Sequence, residues 1–384
     1  MVLQVAVSVM LLIGAGLLMR SLANQVEVDL GFEATNLLTA EVELPEESYP
    51  EPAQRIAFFT SLVEEVEAVP GVEGVGLVNR LPIRDSAGDT YIHPVGQPPE
   101  SRDNRISADF RLMLPGYLAT MKIPLLAGRD IAASDGPRSE PVMILSDSLS
   151  RVLFADSDPI GQEVVVDAGR PVTLRVIGIA ADARLNSVRS SPRHSMYASY
   201  PQLPMERMKL AVRTAGSPTE LIGPIRGILA RKDRNIPLAE PASMDSIINE
   251  AIADSRVVTL SLGVFSAIAL LLSLVGLYGV LSYFVNERHQ EIGVRMALGA
   301  NAREVVRFVL SRAMAMVAIG LMFGLVGSFW ASRLIRRLLF EVESADPSTL
   351  GAVTLSFVVV ALMTCSLPAW RAARVDPASA LQAE

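Results

Sequence analysis

From Val257 to Val285 no charged side chain interrupts the sequence. A helix rises about 1.5 Å per residue and the hydrocarbon core of a bilayer is about 30 Å thick, so a run of this length reads as a membrane span. In hydrocarbon every backbone N–H and C=O has to be satisfied within the segment, which leaves the helix as the form such a run adopts. Ala313–Ser332 and Ser348–Trp370 repeat the pattern, and Val2–Met19 opens the sequence with a fourth apolar run. Half of the 384 residues are apolar, a balance too apolar for an ordinary soluble domain.

Between the first and second runs lies a long stretch of ordinary polarity, large enough for its own core and for two subdomains. Ala40, Val42 and Leu44 alternate with polar neighbours as a half-buried strand that ends at Pro45. Pro52 opens a helix with Ile56, Phe59, Val63 and Val66 at helical spacing, and Pro70–Gly71 stops it. Val72–Val78 is then a second strand. Residues 79–105 lack periodicity and read as loop or irregular sheet edge. Ile106, Ala108, Phe110 and Leu112 alternate again, Val142–Leu145 is a short apolar strand, Asp147–Phe154 a helix and Glu163–Val166 a strand. The β-branched stretch Val172–Ile179 predicts a central strand. Strands are expected at Met196–Ala198, Leu210–Arg213 and Pro237–Ala239, with a helix over Pro218–Leu229 between the last two. From Asp245 a helix runs into the second span without a break signal, as a stalk would. The expected fold is therefore a membrane protein with four transmembrane helices and a large α+β extracytoplasmic domain between helices 1 and 2. The divisions are residues 1–23, 24–250 and 251–384, with the later spans near 257–285, 313–332 and 348–370.

Val2–Met19 has two readings. Ser21, Leu22 and Ala23 loosely resemble a signal-peptide cleavage site, but no basic residue precedes the run, and it is longer than the roughly 7 to 15 apolar residues of a signal peptide. The anchoring helix is the favoured reading. The sequence is then expected to begin inside this helix, preceded by a cytoplasmic segment or an entire first half.

The second and third runs are joined by a charged island, Asn286–Arg307, reading NERHQEIGVRMALGANAREVVR. Ile292, Met296 and Gly299 fall on one side of a helix here, and Arg288, Glu291 and Arg295 on another at charge-pair offsets. Arg-bearing loops next to span ends stay in the cytoplasm, which predicts the island and the tail with Arg371 and Arg374 inside and Asn24–Asp254 outside. Arg333, Arg336 and Arg337 depart from that rule. On pattern alone the solvated connector is the favoured reading of the island. In the third run Gly320, Gly324 and Gly327 form a small-residue face suited to close contact between spans or subunits, although glycine is also simply common in membrane helices.

Several chemistries are excluded by what the sequence lacks. Its three lysines, Lys122, Lys209 and Lys232, are followed by Ile123, Leu210 and Asp233, so no Walker A phosphate loop can form. Neither G-x-S-x-G nor H-E-x-x-H occurs. His93, His194 and His289 have no ligand spacing, and Cys365 is the only cysteine, so no cofactor or metal is expected. The acid pairs Glu46–Glu47 and Glu64–Glu65 read as solvated surface. The net charge of −7 belongs to the stretch between the first two spans and argues against nucleic acid as a partner. No Asp, Glu, Lys or Arg lies in the middle of the later spans, which favours a membrane part that transmits motion over one that conducts.

The string ERHQEIGVRMALGA with the preceding GLYGVLSYFV resembles the cytoplasmic loop of FtsX-like permeases, the MacB type of ABC transporter membrane subunit. PGVEGVGLVNRLPI, IPLLAGRD and the closing PAWRAARVDPASALQAE are similar to further signatures of that family, and the whole resembles one half of the duplicated orphan permeases of acidobacteria. The resemblance implies a non-enzymatic permease subunit in the cell (inner) membrane. A separate ABC ATPase would dock on a coupling helix through Glu291, Ile292, Arg295, Met296 and Leu298, with Arg288 and Gly299 supporting, and drive efflux or extraction of a substrate. Its other partners would be the lipid bilayer and a second permease half or an identical copy. It also implies a membrane-proximal pair of βαβ-like units, near Leu37–Val78 and Leu210–Ala239, around a more β-rich insertion. The alternatives are a membrane-anchored sensor or scaffold without ATPase, a regulator of cell-wall hydrolases, or a lipoprotein-releasing permease.

Overall fold

The structure, a computed structural model, describes residues 1–85, 88–97, 105–155, 157–167, 171–288, 302–335, 339–340, 342 and 346–372. It divides into an α+β unit, Val28–Ile252, and a helical unit, Met1–Glu27 with Ala253–Glu384.

In the α+β unit, β1 (Leu37–Glu43) leads through α2 (Pro52–Glu67) to β2 (Val72–Val78), and both strands pair antiparallel with β10 (Arg207–Thr214) lying between them. β10 leads through a 3-10 turn at Pro218–Leu221 and α5 (Ile222–Lys232) to β11 (Ala239–Ser243), which pairs on the other side of β1. The order β11-β1-β10-β2 is two interlocked split βαβ units. The alternation in β1 buries Leu38, Ala40 and Val42 on the face that receives Phe58, Phe59, Leu62 and Val66 of α2 and Ile225, Ile228 and Leu229 of α5. Tyr49, Phe58, Phe59 and Tyr200 continue this core as an edge-to-face chain with centroids 5.4, 5.6 and 5.7 Å apart.

The residues between β2 and β10 form a second piece, held to the first sheet at Val78↔Met113. β4 (Ile106–Met113), β3 (Asp89–Pro94), β7 (Glu163–Asp167), β8 (Pro171–Ala180), β6 (Val142–Ser146) and β9 (Ser195–Ser199) pair in that order, and β9 pairs back onto β4. The strands thus close a ring, which removes open edges. β8 is paired on both sides, as its β-branched sequence predicts. α3 (Tyr117–Met121) and α4 (Asp147–Phe154) lie in the connections.

Two sequence expectations are corrected here, and one strand is added. The supposed loop at 79–105 contains β3, which pairs on both sides; Ile92 is its one buried apolar residue, so tertiary pairing rather than alternation makes it a strand. Leu125–Gly128 is an exposed strand, β5, on β8. The strand expected at Pro237–Ala239 lies instead at Ala239–Ser243, where a register shift opposite Thr39–Glu41 and the positive φ of Glu240 accommodate Pro241.

The helical unit holds four helices long and apolar enough to cross a membrane: α1 (Val2–Glu27), α6 (Met244–Glu287), α7 (Ala302–Ile335) and α8 (Pro347–Ala372). α6 is one helix of 44 residues whose first turns belong to the α+β unit. In chain order the α+β unit lies between α1 and the apolar part of α6. The island is shorter than its charge pattern suggests, because Asn286 and Glu287 still belong to α6 and Ala302–Arg307 already belong to α7.

Candidate functional site

α1 is the most deeply packed of the four long helices. Its residues Val5, Val9, Ile13 and Leu17 form a core with Leu277 and Leu281 of α6, Val309, Ala313 and Val317 of α7, and Phe357 and Ala361 of α8. Against α7 the approach is closest at the glycines. A Cβ on Gly320 would stand 2.6 Å from Val5 Cβ, one on Gly324 2.8 Å from Val9 Cβ, and one on Gly327 on top of the Met10 side chain. Residue numbers rise together along this seam, so α1 and α7 run parallel. The small-residue face named from the sequence is covered by a helix of the same chain.

Against α6 the numbers run oppositely and the contact is polar. Ser8 Oγ donates to the Ala269 carbonyl at 2.8 Å and shares a hydrogen bond with Ser273 Oγ at 2.9 Å, while Ser266 Oγ donates to the Leu11 carbonyl at 2.8 Å. Gly276 leaves room for Gln4, and on the opposite side Gly16 meets Thr349 and Val353 of α8. Each interspan hydrogen bond of this kind contributes about 0.6 kcal/mol on average. Sequence reasoning missed these residues, although Ser266 and Ser273, seven apart and followed by Gly276, carry the spacing of a helix face.

At the loop end of the bundle the rings of Phe284 (α6) and Phe308 (α7) lie 6.4 Å apart, and the Arg288 guanidinium sits 5.0 Å above Phe284. Val285, Val306 and Leu310 close the core beneath them. Two helix ends are thereby held side by side, which fixes the anchor points of the connection they carry. Arg288 is the member of the expected coupling set that this base displays. Glu291, Ile292, Arg295, Met296, Leu298 and Gly299 lie outside the described residues.

At the other end Arg20 donates to Asp346 at 2.6 Å, and Asp346 caps α8 by accepting from Thr349 N at 3.0 Å. Hydrogen bonds from Thr349 and Ser348 hold the Asp346 carboxyl down to about 2. Ser21 Oγ accepts from Phe340 N at 2.8 Å.

Within the α+β unit, the chain that follows α1 and the chain that opens α6 enter one core. Phe32, Met244 and Ile247 are buried together with Leu37, Tyr117, Met121, Ala183 and Leu185. Gly31 has φ +74°, and a Cβ there would meet the Asp182 carbonyl, so only glycine seats the linker this closely. Arg213 is nearly buried and holds three backbone carbonyls: Nε donates to Thr120 O (2.7 Å), Nη1 to Thr35 O (2.8 Å) and Nη2 to Glu33 O (2.7 Å).

No catalytic geometry accompanies these contacts. Ser148, Asp182 and His194 meet, but Ser148 stands between the other two, donating to Asp182 at 2.7 Å with His194 Nδ1 3.0 Å away. A triad needs histidine in the middle. Asp182 instead accepts from Ser148 N in the first turn of α4, a capping role. Asp109 and Arg111 form a buried pair at 2.7 Å, bordered by Tyr117 and Tyr197, whose hydroxyl pKa values burial pushes up. Glu46, Glu47, Glu64 and Glu65 are exposed. Among the described residues no cluster of His, Cys, Asp or Glu is placed to hold a metal.

Residues 1–228 match the family model described as the MacB-like periplasmic core domain, and residues 263–377 that of the FtsX-like permease C-terminal region. The chain is 29% identical over 283 residues to the pyoverdine export ATP-binding/permease protein PvdT of Pseudomonas syringae pv. tomato, covering 70% of this chain and 42% of that protein. It is 26% identical over 269 residues to the macrolide export ATP-binding/permease protein MacB of Wolinella succinogenes, covering 68% and 41%. It therefore spans about two fifths of the length of the curated relatives it matches. Among solved structures it is similar to the periplasmic region of MacB from Actinobacillus actinomycetemcomitans, with 16% identity, a TM-score of 0.38 and coverage of 58% of this chain and 95% of that one.

Proposed function

Since the chain belongs to the family of FtsX-like permeases with a MacB-like periplasmic core domain, we propose that it is the membrane subunit of an ABC exporter in which a separate ATPase drives motion of the α+β unit. That motion expels a substrate, or extracts it from the membrane, on the outer side. The observation that carries this reading is α6. A helix of 44 residues is about 66 Å long. Its first turns are rooted in the α+β core through Met244 and Ile247, and its last turn ends at the Phe284–Phe308 base beneath the loop. In this reading α6 passes a displacement at the loop end on to the α+β unit.

In this reading the chain sits in the cell (inner) membrane, with Asn24–Asp254 outside the cytoplasm and the loop inside. Glu291, Ile292, Arg295, Met296 and Leu298 contact the ATPase, with Arg288 and Gly299 in support. By sequence spacing Ile292 and Met296 would share the apolar edge of a short helix, and such an edge finds a groove on a partner. Glu291 and Arg295 would set register as rim charges.

The complex contains two such halves, either identical copies or this chain and a homologous half. Because α1 covers the α7 glycines, the pairing surface is assigned to α6. There Val257, Leu260, Val264, Ile268, Leu271 and Val275 are exposed at spacings of three and four.

Met296→Asp places a charge in the proposed apolar contact and is expected to abolish co-purification with the ATPase and stimulation of its turnover. Glu250→Gln, on the exposed side of the first turns of α6, serves as the distant control. Wild-type binding and stimulation by Met296→Asp would reduce the loop to a connector. An α+β unit that binds a ligand in a chain that captures no ATPase would turn the reading to a membrane-anchored sensor.

A further inference from the structure

α1 and α7 approach most closely at the α7 glycines, and a groove lies next to that contact. From Val5 to Met10 the glycine seam leaves no space between them. Beyond it lies a groove of about 260 Å³, walled by Met10, Gly14 and Leu17 of α1, Leu262 of α6, and Ser328 and Ser332 of α7.

The lining makes no polar demand. Both serine hydroxyls are already engaged, Ser328 with the Leu325 carbonyl at 2.8 Å and Ser332 with the Phe329 carbonyl at 3.0 Å, each within its own helix. No charged side chain lines the groove. An apolar space without hydrogen-bonding partners does not retain water and is filled by hydrocarbon. Its length also fits. The wall extends from Val7 to Leu17 on α1, about 15 Å of helix, which matches about half the hydrocarbon thickness of a bilayer. It occupies the half of α1 that ends at Arg20, so one leaflet supplies its content.

We propose that this groove is a binding site for one acyl chain of a membrane glycerophospholipid, taken from the leaflet on the Arg20 side. The chain acts as a wedge between α1, α6 and α7 where the glycine seam ends. A lipid is favoured over a protein helix because a helix with side chains is about 10 Å across, far wider than a slot of this volume. The site does not depend on the ATPase reading.

The test uses the full chain in lipid nanodiscs containing phosphatidylethanolamine with a diazirine midway along one acyl chain. After irradiation, adducts are expected on the 7–17 and 328–332 peptides at several times the yield on Leu355 and Leu367, which are exposed on α8. Gly14→Leu, whose Cβ lies in ordinary contact with Leu262 at 3.4 Å, fills the slot from α1. Ala331→Leu fills it from α7, and carries the test if the first variant does not fold. Either is expected to bring groove labelling down to the α8 level. Equal yields at the groove and on α8, or groove labelling unchanged in both variants, would overturn the assignment. So would disulfide-linked dimers of Ala331→Cys in a Cys365→Ser background, since a second copy would then occupy the space.

Discussion

Gly324→Ala adds one methyl group in the middle of the α1–α7 seam. The new Cβ would stand 2.8 Å from Val9 Cβ and 3.1 Å from the Ala6 carbonyl oxygen. Neither atom is the free end of a flexible side chain, and Val9 is fully buried. Carbon atoms pack at about 3.5–4.0 Å, so the helices must separate by roughly 1 Å along a seam that also includes Gly320 and Gly327. Overpacking of this kind costs about 1–3 kcal/mol, against which alanine's better helix propensity returns about 1 kcal/mol. Gly279→Ala on α6 isolates the second quantity, because nothing lies within 4 Å of its Cβ position. The two variants are therefore expected to differ by the whole overpacking cost, about 1–3 kcal/mol, in unfolding titrations of the purified protein in mixed micelles. Val9→Gly removes both Val9 atoms that the new methyl meets, Cβ and Cγ1, so in a double-mutant cycle it is expected to offset Gly324→Ala with a coupling of at least about 1 kcal/mol. If Gly324→Ala and Gly279→Ala agree within about 0.5 kcal/mol, or the coupling is no larger than that, the seam is not the close contact described and the argument fails.

Two further outcomes are expected. In a Cys365→Ser background, Ser217→Cys is expected to react with a membrane-impermeant maleimide while the cytoplasmic membrane is intact, and Arg288→Cys only after that membrane is opened; the reverse pattern would invert the topology. Asp109→Ala leaves the Arg111 charge buried without its carboxylate and should cost about 3–5 kcal/mol, whereas Glu43→Ala, which breaks an exposed pair with Arg207, should cost under about 1 kcal/mol; hydrogen exchange across β4 separates the two, and equal effects would show that burial does not govern the pair.

The sequence by itself determined what depends on neighbours along the chain. The apolar runs specify four long helices because the backbone in hydrocarbon has no other partner. The periodicity of β1, α2 and β8 was legible because each buries one face, or both, against a core of its own residues. The glycines of α7 could be read as a contact face, but not their partner. A small-residue face says that something comes close, and only the tertiary structure supplies α1 as that something. The same holds for Ser8, Ser266 and Ser273, whose hydroxyls look unremarkable until two antiparallel helices bring them together from positions more than 250 residues apart. β3 and β5 were hidden because strand pairing holds them while they bury few side chains of their own. The joining of the chain after α1 and the start of α6 in one core, with Arg213 holding the first of them, was also decided only in three dimensions, because it depends on carbonyls that every sequence possesses and only the fold aims at one guanidinium.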